Sequence, residues 1–194
     1  AAGAESFEEF YARKYGGGAG TSMDESGSKE SIGVGVREDF DFGDLEDGIF
    51  GTPVYLVLRF REATAQQERL VRSGKYKDLQ RSNVRLAVRI LLGNYGIQEA
   101  LKKAAKLAPE DKRAAAMAKG REAIETLKTL DEYFDPIQTS LKLTDLDKEK
   151  QEFVAKAFAT TRMYTDGFLK FLPADTVSEA RAYVEKENNM NKAE

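Results

Sequence analysis

The densest set of groups able to do chemistry is the carboxylate run within Glu38-Asp39-Phe40-Asp41-Phe42-Gly43-Asp44-Leu45-Glu46-Asp47. Clustered carboxylates hold hard cations such as calcium when a loop bends them inward. Counted from Asp39 as an EF-hand loop, the run departs from the pattern. Its fifth position is Gly43, its sixth is Asp44 where Gly makes the sharp turn, and its twelfth is Phe50 where a bidentate Glu belongs. A solvated acidic segment, a docking tail and a weak cation site all remain open for it. The chain has no His and no Cys. That removes the commonest general base near neutral pH and the commonest metal ligand, along with thiol nucleophiles, zinc–thiolate sites and disulfides. Gly16-Gly17-Gly18-Ala19-Gly20 has no strand before it, and no G-x-x-x-x-G-K-[ST] occurs, so neither phosphate-binding pattern is met. A Ser or Thr nucleophile would have only Lys as its base. The residues point away from an enzyme, and no cofactor or resident metal is expected.

Basic residues carry more information. Between residues 53 and 92 stand nine Lys or Arg against the acids Glu62, Glu68 and Asp78. Arg81, Arg85 and Arg89 recur every four residues, which places them on one stripe of a helix, and Lys75 and Lys77 precede them. The stripe is either a solvated face or a docking surface for an acidic partner, which arginine's planar fork grips through two hydrogen bonds. Nucleic acid is disfavoured as that partner, because the whole chain carries a net charge of -3. A second docking candidate is the set Phe40, Phe42 and Phe50, aromatic anchors among acids; the alternative is that they pack back on the rest of the chain.

The elements that must hold these residues divide at about residue 52. The first 52 residues hold 11 of the 16 glycines and carry net charge -8, leaving +5 for the remainder. Such composition buries too little apolar surface to offset the entropy of ordering, so residues 1–52 are expected to be an extended, largely irregular arm. From Pro53 the pattern turns helical, with apolar residues stepping by three and four. Leu56, Phe60, Ala63, Gln67 and Leu70 mark a first stripe that ends at Ser73-Gly74. Tyr76, Leu79, Asn83, Leu86, Ile90, Gly93, Ile97, Leu101 and Ala104 mark a second, weakened around Gly93 and Gly96. Pro109 is expected at the first position of a third helix, with a stripe through Met117, Arg121, Ile124, Leu127, Asp131 and Phe134, ended by Pro136. Thr144-Asp145-Leu146-Asp147 resembles a capping box before a fourth stripe of Val154, Ala157, Thr161, Tyr164, Phe168 and Phe171. Leu172-Pro173 closes it, and Thr176-Val177-Ser178-Glu179 opens a short last helix, with residues 188–194 fraying. The expected fold is all-α: an up-down four-helix bundle over 53–187 behind the arm, followed by the short C-terminal helix.

The longest wholly apolar run, Val54-Tyr55-Leu56-Val57-Leu58, is far below the roughly 20 residues of a spanning helix. The start Ala1-Ala2-Gly3-Ala4 lacks Met, which fits a mature chain relieved of a targeting segment and equally a boundary of other origin.

With the helices placed, the stretch from 71 to 92 resembles the PsbQ-type extrinsic proteins of photosystem II, including the related extrinsic subunits of diatoms and other red-lineage algae. The residues that carry the likeness are Ser73-Gly74-Lys75-Tyr76-Lys77-Asp78-Leu79, an aromatic residue opening the second helix with a Leu three on. Leu79-Gln80-Arg81-Ser82-Asn83-Val84-Arg85-Leu86 follows as a Leu/Arg-rich stretch. The order of helices over 53–187 also fits. The chain departs from the plant members in lacking Trp and in having a Gly- and acid-rich arm in place of a Pro-rich one. The resemblance implies a chloroplast thylakoid-lumen protein, peripheral to the membrane. It would dock on the photosystem core and other extrinsic subunits and stabilise the oxygen-evolving complex in photosynthesis, without itself binding manganese. A lumenal linker between photosystem I and its antenna keeps the same fold with a different host. A helical ligand carrier or enzyme would require a pocket inside the bundle.

Overall fold

The structure, a computed structural model, describes residues 48–74, 84–134 and 147–190. The chain divides into two compact units, Ala1–Phe40 and Asp41–Glu194, and every described residue belongs to the second. Helix makes up 84% of the described residues and none of them is in a strand. In chain order the helices are α1 (Pro53–Ser73), α2 (Val84–Gly93), α3 (Ile97–Ala105), α4 (Arg113–Tyr133), α5 (Lys148–Leu169) and α6 (Ala174–Met190), with a 3-10 turn, Glu110–Lys112, leading into α4. Among the described residues no helix is long and apolar enough to cross a membrane.

Local chemistry sets the ends. Thr52 caps α1: its Oγ1 accepts a hydrogen bond from the Tyr55 amide at 3.3 Å, and Pro53 follows where its missing N–H costs nothing. Gly74 closes α1 by donating to the carbonyls of Leu70 and Val71. Over its described residues, from Val84 on, the second apolar stripe is two helices, not one. Gly96 sits at φ 50°, ψ 39°, a left-handed conformation that glycine alone adopts without strain, so the chain turns there and restarts at Ile97. Pro109 stands just before the 3-10 turn and not inside a helix. The fourth-helix cap is Asp147, whose Oδ1 accepts from the Lys150 amide at 2.8 Å; Thr144, the expected cap, lies outside the described residues. The last helix is not short. It runs 17 residues from Ala174, so Thr176–Glu179 lies within its first two turns, and Asn188 is still helical. Pro136 lies outside the described residues.

The backbone hydrogen bond from Lys150 holds the Asp147 carboxyl below its ordinary value of 3.8, and the Lys150 ammonium assists. A carboxylate with a depressed folded pKa stabilises above its unfolded value and loses that contribution as pH falls through the folded one. Protection of the Lys150 amide, its exchange measured against an unstructured peptide at the same pH, should therefore be constant from neutral pH down to about 4 and fall below it. Asp147→Asn, which still accepts but does not titrate, should remove that dependence.

Packing forms a closed circuit. α1 packs on α5 and α3, α4 packs on α5, α3 and α2, and α6 lies against α1. Ion pairs give the direction of one pair: Arg72 meets Glu152 and Arg61 meets Asp166, so α1 and α5 run antiparallel. Rings and small residues give another: Tyr133 stacks on Phe153 with centroids 4.0 Å apart, while Gly120 lies under Phe168, so α4 and α5 are also antiparallel.

The inward faces differ from the expected stripes in register. In α4 the buried line is Ala116, Gly120, Ala123, Leu127, Leu130 and Phe134; Arg121 is exposed and Met117 and Asp131 are half-buried. The small residues let α4 approach its neighbours closely. A Cβ on Gly120 would meet both Leu101 methyls at 3.3 Å and the Phe168 ring at 3.5 Å. In α2 the inward residues are Val84, Ala87, Val88 and Leu91, and Leu86 is 37% exposed. In α1 they are centred on Val57, Phe60, Thr64 and Val71, which leaves Leu56, Ala63, Gln67 and Leu70 half-buried. In α5, Tyr164 is half-buried where Thr165 is buried.

Five threonines are buried among the described residues: Thr64, Thr126, Thr129, Thr161 and Thr165. Four of their hydroxyls donate to the carbonyl one turn back: Thr64 to Phe60, Thr126 to Glu122, Thr161 to Ala157 and Thr165 to Thr161. The Thr129 hydroxyl finds no partner among the described residues. An unmet buried hydroxyl carries its full desolvation cost, roughly 1–3 kcal/mol. Thr129→Val keeps the shape and should leave stability unchanged or raise it by up to about 1 kcal/mol. Thr161→Val, which loses a made bond, should not gain; urea unfolding of both variants checks the contrast.

Candidate functional site

Of the expected docking residues, Lys75, Lys77, Arg81, Phe40 and Phe42 lie outside the described residues. The structure places the other three, Arg85, Arg89 and Phe50, in different surroundings.

Arg85 is half-buried on α2. Its Nε donates to Asp131 Oδ1 of α4 at 2.9 Å, the two side chains being 16% and 26% exposed. This arginine ties α2 to α4. Arg89, one turn on, is exposed, and no ion pair to it occurs among the described residues. Phe50 is half-buried against the protein's own rings: its centroid lies 5.1 Å from Tyr55 and 6.4 Å from Tyr183. Tyr55 continues this cluster by donating its hydroxyl to both Glu187 oxygens, at 3.2 and 3.0 Å. Burial, then the Glu187 carboxylate, pushes the phenol well above its ordinary value, so Tyr55 stays a donor throughout the physiological range.

The four arginines of α1 are also paired, three of them with residues of other helices. Arg61 grips Asp166 of α5 through two bonds, Nε–Oδ1 at 2.7 Å and Nη2–Oδ2 at 3.2 Å. Arg72 joins Glu68 and Glu152, and Arg162 returns from α5 to Glu68. Arg69 pairs with Glu62, and Arg59 reaches Asn188 and Glu187 of α6. A cleft of about 250 Å³ opens over this network, walled by Arg61, Arg69, Arg72 and Arg162. The half-buried pairs fix helix register more than they add stability, since exposed pairs contribute about 0–1 kcal/mol each.

Comparison with protein-family models, with curated proteins and with solved structures returned no match to this chain.

What remains outward on α2 is Leu86, Arg89 and Ile90: Leu86 and Arg89 are exposed and Ile90 is half-buried. These positions are neighbours on one face, and they combine an aliphatic contact with a guanidinium. Sequence spacing found Arg89 but assigned Leu86 and Ile90 to the core, because both faces of α2 carry apolar residues. Arg85 and Arg89 should therefore separate on mutation. Arg85→Ser leaves Asp131 half-buried and unpaired, and should cost about 1–2 kcal/mol, between exposed and fully buried pairs. Arg89→Ser should stay within about 0.5 kcal/mol of the parent. Thermal unfolding of the two variants tests the assignment.

Proposed function

We propose that the chain is a non-catalytic extrinsic subunit, an up-down four-helix bundle in which α2 and α3 together form the second helix. It docks on the lumenal face of photosystem II and shields the oxygen-evolving centre. The observation that carries the docking part is the outward face of α2, where Leu86 and Arg89 sit side by side on the solvent side of a helix whose inner face is already filled. Arginine is enriched at protein interfaces and among their energetic hot spots, and Leu86 sets apolar surface beside it. What supports the choice of host is the resemblance of residues 71–92 and the helix order to the PsbQ-type proteins.

Peripheral docking through exposed charge is salt-sensitive, since the screening length falls to about 3 Å at 1 M salt. High-salt washing of thylakoid membranes should release the protein, and the released protein should rebind on dilution. A Leu86→Ser/Arg89→Ser double variant should keep its helicity and lose rebinding. Retention through both salt and alkaline washing, or rebinding of the double variant at parental affinity, would contradict docking by this face.

A further inference from the structure

A second cleft of about 590 Å³ lies between the turn after α3 and the turn after α5. Lys106, Lys112, Arg113 and Lys170 line it, and Glu110 is the one carboxylate among its walls. Leu107, 47% exposed, and half-buried Phe171 add apolar surface. No ion pair to any of the four cations occurs among the described residues, although all four arginines of α1 are paired. The Arg113 Nε donates to the Ala108 carbonyl at 3.1 Å; that bond holds the guanidinium at the cleft and leaves its other N–H groups available.

The walls are preformed. Lys106, Leu107 and Ala108 each donate an amide to the carbonyl three residues back, as do Phe171 and Leu172 on the other side. Consecutive bonds of this kind make tight turns with little freedom, so a ligand would bind without first ordering them.

We propose that this cleft is a docking site for an acidic segment of a partner protein that carries an aliphatic or aromatic anchor. Four cations against one carboxylate set the sign of the charge. Leu107 and Phe171 beside them require an apolar residue within the same ligand, which a free inorganic anion lacks. The concave shape suits an inserted chain segment more than a flat lipid surface. The site is separate from the outward face of α2 and stands whichever complex hosts the chain.

The test is fluorescence titration of the full chain with a labelled peptide in which Asp alternates with Phe and Leu. Its controls are the same peptide with Ser for every Asp, and anionic phospholipid vesicles. The parent should bind the acidic peptide, more weakly as salt rises, and prefer it to both controls. Lys112→Gln/Lys170→Gln should bind about tenfold more weakly with a shallower salt dependence, each lost pair counting for up to about 1 kcal/mol. Leu107→Ser should also weaken binding but keep the parental salt dependence, and helicity should be unchanged in all variants. Equal binding of the Ser peptide, parental binding by the lysine variant, or binding to vesicles in preference to the peptide would overturn the proposal.

Discussion

Phe168→Ala should lower the stability of the protein by about 3–5 kcal/mol in urea unfolding, with the slope of the transition little changed. Phe168 is wholly buried and is among the largest side chains that are. It sits on α5, which packs on both α1 and α4, so its ring fills space that no single helix can collapse into. The loss has two parts: the apolar area no longer removed from water, and the contacts forfeited by the walls of the remaining cavity. Against a typical total of about 5–15 kcal/mol the variant is close to the edge of folding. An exposed apolar residue, Met163 on the same helix, is 58% exposed, and Met163→Ala should stay within about 0.5 kcal/mol of the parent.

Gly120→Leu should destabilise by about 1–3 kcal/mol or more, for the opposite reason. The first added carbon would already touch Leu101 at 3.3 Å and Phe168 at 3.5 Å, and a leucine has three more heavy atoms to place. Gly120→Ala is the informative control. Alanine gains roughly 1 kcal/mol of helix propensity over glycine, and the Leu101 methyls are the far end of a flexible side chain, so the variant should fall near the parent. Because the Phe168 ring faces Gly120, the two large substitutions share one volume. Phe168→Ala combined with Gly120→Leu should be less destabilised than the sum of the single variants, a coupling that a double-mutant cycle reads directly.

Much of the architecture was legible because it depends on local punctuation. Gly74, Gly96, Pro109 and Pro173 end or separate helices through their own backbone requirements, and each does so without help from distant residues. Register was harder to read. The α4 stripe is built partly of Ala116, Gly120 and Ala123, whose small size matters only against Leu101 and Phe168 on other helices. A search for large apolar residues settles instead on Met117, one position away. In α2, Leu86 and Ile90 match the helical period as well as Ala87 and Leu91 do, and only the packing partner decides which pair turns inward.

The basic segment shows the same division. Its excess of cations over acids between 53 and 92 is real as a count, but Asp131, Glu152, Asp166 and Glu187 come from later helices and answer Arg85, Arg72, Arg61 and Arg59. Spacing by four finds the face of a helix, whereas the destination of each charge is a tertiary fact. The basic cleft was hidden for the converse reason, since Lys106, Lys112 and Lys170 are scattered in sequence and meet only where two turns come together.

The central claim, docking on photosystem II, is tested most directly by separating native membrane complexes under low salt and finding the protein by mass spectrometry. It should migrate with the photosystem II core at near-equal stoichiometry and leave that fraction after a high-salt wash. Migration with photosystem I and its antenna, or as a free protein under low salt, would contradict it.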